Sequence, residues 1–271
     1  MTARPAPLDI SADYAALADL FAAAQFTDAT RLYAFASDGL PELLVESFCG
    51  FETVCGQGAG AQWVVDVLSM QANLPIRSWR FKQAALGIRQ ADGSTQWRSG
   101  YLQSIQQLDA DGGLARYRLT LVPGIWLATQ ARRNRVFQQK PLLQILEEVL
   151  APYAPYVRWQ IDTGVDTLLG ELAPRPMIVQ YQESDYAFIT RLMAEEGLGW
   201  SIAESSANET SPDLTAGAAP DFSSGAAHTL TIFANGHSFT QDPNSAAHGG
   251  IRWHQASSQE ESDALFDWRH T

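Results

Sequence analysis

The block that ends at Trp200 constrains this chain more tightly than any other part of it. It contains two amphipathic helices, each beside a β-like segment, so the fold must bury helix faces and strand faces together. Residues 132–140 read R-R-N-R-V-F-Q-Q-K, and Pro141 follows where a helix start tolerates a missing N–H. Leu142, Ile145, Leu146, Val149 and Leu150 then recur at the i, i+3, i+4, i+7, i+8 spacing of one buried face, and Pro152 ends the run. After a less regular stretch, residues 178–181 read I-V-Q-Y and lead into a second helix. Ser184 is a good N-cap for it, and Asp185 suits the positive end of its dipole. Phe188, Ile189, Leu192 and Met193 form its apolar stripe, and Gly197 is placed to be the left-handed residue that closes it.

Elsewhere the period is that of strands. Residues 116–121 alternate, with Tyr117, Leu119 and Leu121 on one side and Arg116, Arg118 and Thr120 on the other. The turn signal D-A-D-G-G at 109–113 precedes them, so 101–108 and 114–122 should pair as an antiparallel hairpin. Residues 78–88 and 97–100 flank a second turn at 91–94, and further strands are expected at 177–181, 198–204, 229–233 and 251–255. Short strands separated by such turns suggest closed or nearly closed β-barrels. Residues 11–26 read as a leader helix capped by Ser11, with Tyr14, Leu17, Ala18, Phe21 and Ala24 on one face. Between Ser205 and His228 the composition is that of a flexible loop, too poor in large apolar residues to offset its ordering entropy. A second polar loop is expected from Asn235 to Gly250.

With 271 residues and a hydrophobic content of 46%, the chain can bury a real core. Its net charge of −12 argues against nucleic acid, because no basic stripe exists to neutralise phosphates. Arg132, Arg133, Arg135 and Lys140 form the one basic cluster, read as a solvated rim or as partners for nearby glutamates. No stretch offers the roughly 18–20 uninterrupted apolar residues of a membrane helix. Residues 8–26 are broken by Asp9, Asp13 and Asp19 and lack the basic start of a signal peptide.

Signatures of chemistry are scarce. His228, His237, His248, His254 and His270 fall mostly in loop-like text, and a metal site built from His248, His254 and Asp242 has nothing to fix its geometry. Glu147 and Glu148, Glu183 with Asp185, and Glu195 with Glu196 are explained as dipole complements and solvated residues rather than as a pair of catalytic carboxylates. Cys49 and Cys55 read as buried apolar cysteines. The eight tryptophans, at 63, 79, 97, 126, 159, 200, 253 and 268, read as core or interface residues. No catalytic, cofactor-binding or metal-binding residue is nominated, and no cofactor is expected.

The wording of the central block resembles the VgrG family, the spike proteins of type VI secretion systems, which are related to phage baseplate hubs and late-control proteins. R-x-F-Q-x-K with its L-L-Q-I-L-E-E-V-L helix, then V-Q-Y-x-E-S-D-x-x-F-I-x-R-L-M-x-E-E-G, is the specific part. Weaker matches are L-V-E-S-F-C-G-F-E at 44–52, the Gly100 to Leu119 hairpin, and Pro123-Gly124-Ile125-Trp126, where Gly124 replaces a usual aromatic. The glycine-rich residues 56–61 stand at an expected strand boundary. The resemblance covers most of residues 30–255. It implies a mostly β fold with α, of two antiparallel β-barrel-like domains linked by a helical segment. The expected division is a leader helix at 1–26, a first barrel at 27–130, a helical connection at 131–160, and a second barrel-like domain at 161–271 that contains the helix 184–196. That second domain is expected to be incomplete at its C-terminus, the chain being a piece of a longer one.

The function implied is structural: three copies adapt a sixfold tube to a threefold tip and deliver effectors. The implied partners are further copies of the chain in a homotrimer, the tube protein, and effector or tip-adaptor proteins, with no nucleic acid and no membrane insertion. This piece alone is expected to be monomeric or weakly associating. The implied location is the bacterial cytoplasm, followed by export without a signal peptide. The rival readings are a hydrolase or cell-wall-acting tail-hub enzyme, and a ligand-binding barrel that uses the tryptophans.

Overall fold

A computed structural model describes residues 31–53, 58–89, 95–111, 114–204, 222, 225–235, 252–253 and 264–265. The leader helix, the turn at 91–94 and most of the loop at 205–228 lie outside the described residues, as do Cys55, His237, His248, His254, His270 and Asp242.

The first half is one curled antiparallel sheet. It is built from β1 (Tyr33–Ser37), β2 (Leu44–Glu52), β3 (Ala61–Ser69), β4 (Gln83–Arg89), β5 (Thr95–Asp111) and β6 (Leu114–Val122), in the order β1-β4-β5-β6-β3-β2. The outermost strands meet through side chains: the rings of Tyr33 on β1 and Phe48 on β2 lie edge to face at 5.1 Å. The expected hairpin is present, with Tyr101 opposite Val122 and Asp111 opposite Leu114. Tyr117, Leu119 and Leu121 are fully buried with Val65, Val67, Leu86 and Leu102. On the outer face, Arg118 holds the Asp66 carboxylate with both guanidinium arms from the directly opposed position. Before β4, the segment expected to be strand from residue 78 is instead a 3₁₀ turn (Ile76–Trp79) that drops Trp79 into the core.

Cys49 is exposed rather than buried. A bulge between Val45 and Ser47 adds one residue to β2. The extra residue inverts the side-chain phase, so Phe48 turns inward and Cys49 outward.

The second half mixes helices and strands. A 3₁₀ turn (Gly124–Trp126) and α1 (Leu127–Gln130) lead into β7 (Arg132–Lys140), α2 (Leu142–Leu150), β8 (Val157–Ile161), α3 (Thr163–Glu171), β9 (Arg175–Ser184), α4 (Asp185–Glu195), β10 (Gly199–Glu204) and β11 (His228–Phe233). β7 and β9 form a two-stranded antiparallel ribbon, and β10-β11-β8 form a three-stranded sheet. The faces read from sequence hold. Ile145, Leu146, Val149 and Leu150 of α2 are buried against Phe188, Ile189, Leu192 and Met193 of α4. The Ser184 hydroxyl accepts from the Ala187 N–H at 3.1 Å. Gly197, at φ +70°, ends α4 in a Schellman turn, with the Leu198 N–H on the Met193 carbonyl and the Gly197 N–H on that of Ala194.

The stretch read as less regular holds two elements, β8 and α3. Asp162 caps α3, and β8 pairs in parallel with β11 far along the chain. His228 opens β11 and is buried, so it is a strand residue and not the end of a surface loop.

The two glycines that depart from the expected pattern are where the halves meet. A Cβ on Gly124 would run into the main-chain carbonyl of Tyr156. Gly60, at φ +91°, lies under the rings and methyls of Trp200 and Ile202. Phe81, Tyr101 and Tyr156 pack beside this contact, with Phe81 stacked on Tyr101 at 5.0 Å. Residues 235–271 form a separate compact unit. Its described part is a short parallel pair, β12 (Arg252–Trp253) with β13 (Ala264–Leu265).

Candidate functional site

The densest polar cluster lies where β9 runs into α4. Asp185 is fully buried. Its carboxylate accepts from the Tyr153 hydroxyl at 2.8 Å, Gln180 Nε2 at 2.8 Å, Arg133 Nε at 3.2 Å and Arg135 Nη2 at 3.4 Å. Its own N–H donates to the Ala131 carbonyl at 2.9 Å. Burial, and then the facing carboxylate, push the Tyr153 phenol up to about 12. Asp185 is therefore no solvated dipole complement. It ties the ribbon, α4 and the turn after α2 together: three donors converge on Oδ2, Gln180 holds Oδ1, and the carboxylate is closed off from solvent.

The basic cluster resolves accordingly: Arg133 and Arg135 serve Asp185, and Lys140 pairs with Glu148. Glu147 is exposed. Glu183 and Glu195 pair with Arg191, while Arg175 holds Glu195 and Glu196. Glu148, Glu183, Glu195 and Glu196 are thus each matched by a cation.

The ribbon has two unlike faces. Phe137, Ile178 and Gln180 point inward and are buried, with Phe137 stacked on Phe188 at 5.6 Å. The outward residues are also apolar: Val136 is 58% exposed, Met177 60%, Val179 40% and Tyr181 70%. Val136 and Val179 are direct cross-strand partners, so the four make one patch. Among the described residues neither β7 nor β9 has a second hydrogen-bonded neighbour. These apolar side chains and the strand edges beside them are open to solvent in this chain. The signal lay in M-I-V-Q-Y at 177–181, where Met177, Val179 and Tyr181 make the outward phase apolar although Ile178 already supplies an inward apolar residue.

A third feature is the joint. A cavity of about 320 Å³ lies between the halves, lined by Glu52, Trp63, Arg98, Ser99, Glu204 and His228 among others. Glu52 and Arg98 form an ion pair at 2.8 Å. Among the tryptophans, Trp79 and Trp200 are buried, and Trp63, Trp97, Trp126 and Trp159 are partly covered. Among the described residues no group of three or more His, Cys, Asp or Glu could hold a metal ion, and no helix is long and apolar enough to cross a membrane.

Residues 60–271 match the model of the phage tail baseplate hub (GPD) family. The chain belongs to that family. It is 30% identical over 172 residues to the type VI secretion system spike protein VgrG3 of Vibrio cholerae, covering 60% of this chain and 16% of that protein. It is 31% identical over 170 residues to the spike protein VgrG4b of Pseudomonas aeruginosa, covering 61% of this chain and 19% of that protein. It thus spans less than a fifth of either. Among solved structures, the Escherichia coli c3393 protein superposes with a TM-score of 0.58 over 76% of this chain and 50% of that one, at 18% identity. That protein is described as a component of the type VI secretion system, structurally similar to the bacteriophage T4 tail proteins gp27 and gp5. The shared fold is the mostly β hub fold, with its curled sheet and few helices. The baseplate hub relatives named here are structural hub and spike proteins.

Proposed function

We propose that this chain is the hub region of a spike in a contractile injection machine of the type VI secretion kind. It acts as a structural adaptor and not as an enzyme. On this reading residues 27–130 and 161–271 are two barrel-like units joined through 131–160. Three copies make a ring that seats on the sixfold tube and carries effectors or tip adaptors, and the assembly leaves the cell by the machine itself. The observation that carries the proposal is the family match across residues 60–271, joined to spike relatives over about three fifths of the chain. Two features of the structure support it. The clustered charges are spent on internal pairs, and the ribbon presents apolar side chains to solvent.

The experiment uses the full-length natural protein. A tagged copy expressed with the tube protein should retain it on affinity purification, and light scattering should give a trimer. A screen on ester and cell-wall substrates should show no turnover. Turnover in that screen, or a stable dimer without tube binding, would overturn the adaptor reading.

A further inference from the structure

Past residue 100, β5 is flanked by β6, whose pairing begins at Tyr101 opposite Val122. Before that point the same side of β5 has no strand beside it among the described residues. Two side chains of the other half take its place. The Ser99 N–H donates to Glu204 Oε1 at 2.8 Å, and His228 Nε2 lies 3.1 Å from the Ser99 carbonyl. Glu204 and His228 are direct cross-strand partners in β10 and β11, so they reach Ser99 from one face as a pair. Alongside, Gln83 donates to the Gly225 carbonyl, extending the seam along the chain that enters β11.

The geometry assigns the tautomer. A carbonyl can only accept, so Nε2 carries the hydrogen, and in a neutral imidazole Nδ1 is then a bare lone pair. Nδ1 is buried without a partner, and the His228 side chain is 5% exposed. We propose that this seam is an acid-sensitive latch, in which neutral His228 holds β11 to the edge of β5 and its protonation releases them.

The groups that face the imidazole set the response. Glu204 of β10 is 3.9 Å from Nε2, but it is already committed to the Ser99 N–H. Glu52 of β2 is committed to Arg98 of β5. β8 brings Val157, which offers no charge, opposite His228. A proton on Nδ1 has no acceptor where it stands. Turning Glu204 toward it abandons the Ser99 N–H, and turning the ring abandons the Ser99 carbonyl. Either movement frees the β5 edge.

Burial lowers the His228 pKa below its usual 6.5, and Glu204 offsets this only in part. The unfolded or released imidazole therefore takes up a proton first as pH falls. The latch is at full strength above about pH 6.5 and weakens as pH drops below it toward the lower value of the closed form.

Hydrogen exchange by mass spectrometry at pH 7.5 and pH 5.5, corrected for intrinsic rates, tests this. In the natural sequence, peptides spanning 95–101 and 226–233 should lose protection at pH 5.5 by several-fold, up to the about tenfold that one histidine can supply over this pH range, while 142–150 is unchanged. His228→Gln keeps an Nε2 donor but cannot titrate, and its protection at both seams should be the same at the two pH values. Equal acid sensitivity in H228Q would assign the effect to the carboxylates and overturn the proposal. So would an unchanged natural protein. Should H228Q not fold, imidazole NMR titration of the natural protein decides: His228 must titrate below 6.5, and a value at or above that overturns the latch.

Discussion

Asp185 to Ala is the sharpest test of how the second half is held together. If Asp185 were only a solvated residue at a helix start, its loss would cost about 0.3–1 kcal/mol of dipole interaction. The structure demands more. The carboxylate is inaccessible, and its removal strands the donors around it. Arg133, 46% exposed, turns to water at little cost. Arg135, Gln180 and Tyr153 are less free to do so, and each unmatched buried donor costs about 1–3 kcal/mol. These donors share one acceptor and do not add. The total expected is about 3–5 kcal/mol, the usual cost of breaking a buried pair from one side. Asp185→Asn keeps the volume and one acceptor oxygen but turns an amide donor toward other donors, so about 2–3 kcal/mol is expected. Arg133→Ala should stay within about 1 kcal/mol. Urea unfolding followed by tryptophan fluorescence, read as midpoint shifts at constant slope, measures all three. A D185A cost below about 1 kcal/mol, or an R133A cost equal to it, would refute the argument.

Three further outcomes are expected. Ile145→Asp places a charge in a fully buried site on α2 and should cost several kcal/mol, while Glu147→Ala on the exposed face should cost under about 0.5 kcal/mol, both read from the same urea curves. The Tyr153 phenol should ionise near 12 by ultraviolet difference titration, and lower in D185N; its contribution to stability is complete below about pH 10 and is lost as pH rises toward 12. Val136→Lys with Tyr181→Lys should leave the melting temperature within about 2 °C, since both side chains already face water, yet weaken trimer or tube association at least tenfold in analytical ultracentrifugation; unchanged association would remove the ribbon from the interface.

What could be read in advance was whatever a short window of sequence determines. The α2 face, the Ser184 cap, the Gly197 terminator and the hairpin at Tyr117 are local devices, each written within a dozen residues. What escaped depended on distant partners. β8 is a five-residue strand whose partner, β11, lies about seventy residues on, so no nearby turn announces it. Cys49 departs from its expected burial because the bulge between Val45 and Ser47 changes its phase, and nothing in L-V-E-S marks that insertion. Asp185 looked like any acidic residue at a helix start, because Arg133 and Tyr153 reach it only after the chain has folded back. The exposed ribbon face was readable from M-I-V-Q-Y, and the burial of His228 was not.

Gly60 and Gly124 bear on inheritance as much as on packing. Each leaves room for a residue far along the chain: Trp200 and Ile202 in one case, the backbone of Tyr156 in the other. A crossover anywhere between 126 and 156 would hand a descendant one side of both contacts from each parent. If the second parent carries an aromatic at position 124, the carbonyl of Tyr156 has nowhere to go. Viable recombinants between this chain and its relatives should therefore break before residue 59 or after residue 202. The two halves are expected to travel through evolution as a single cassette, however different their architectures look side by side.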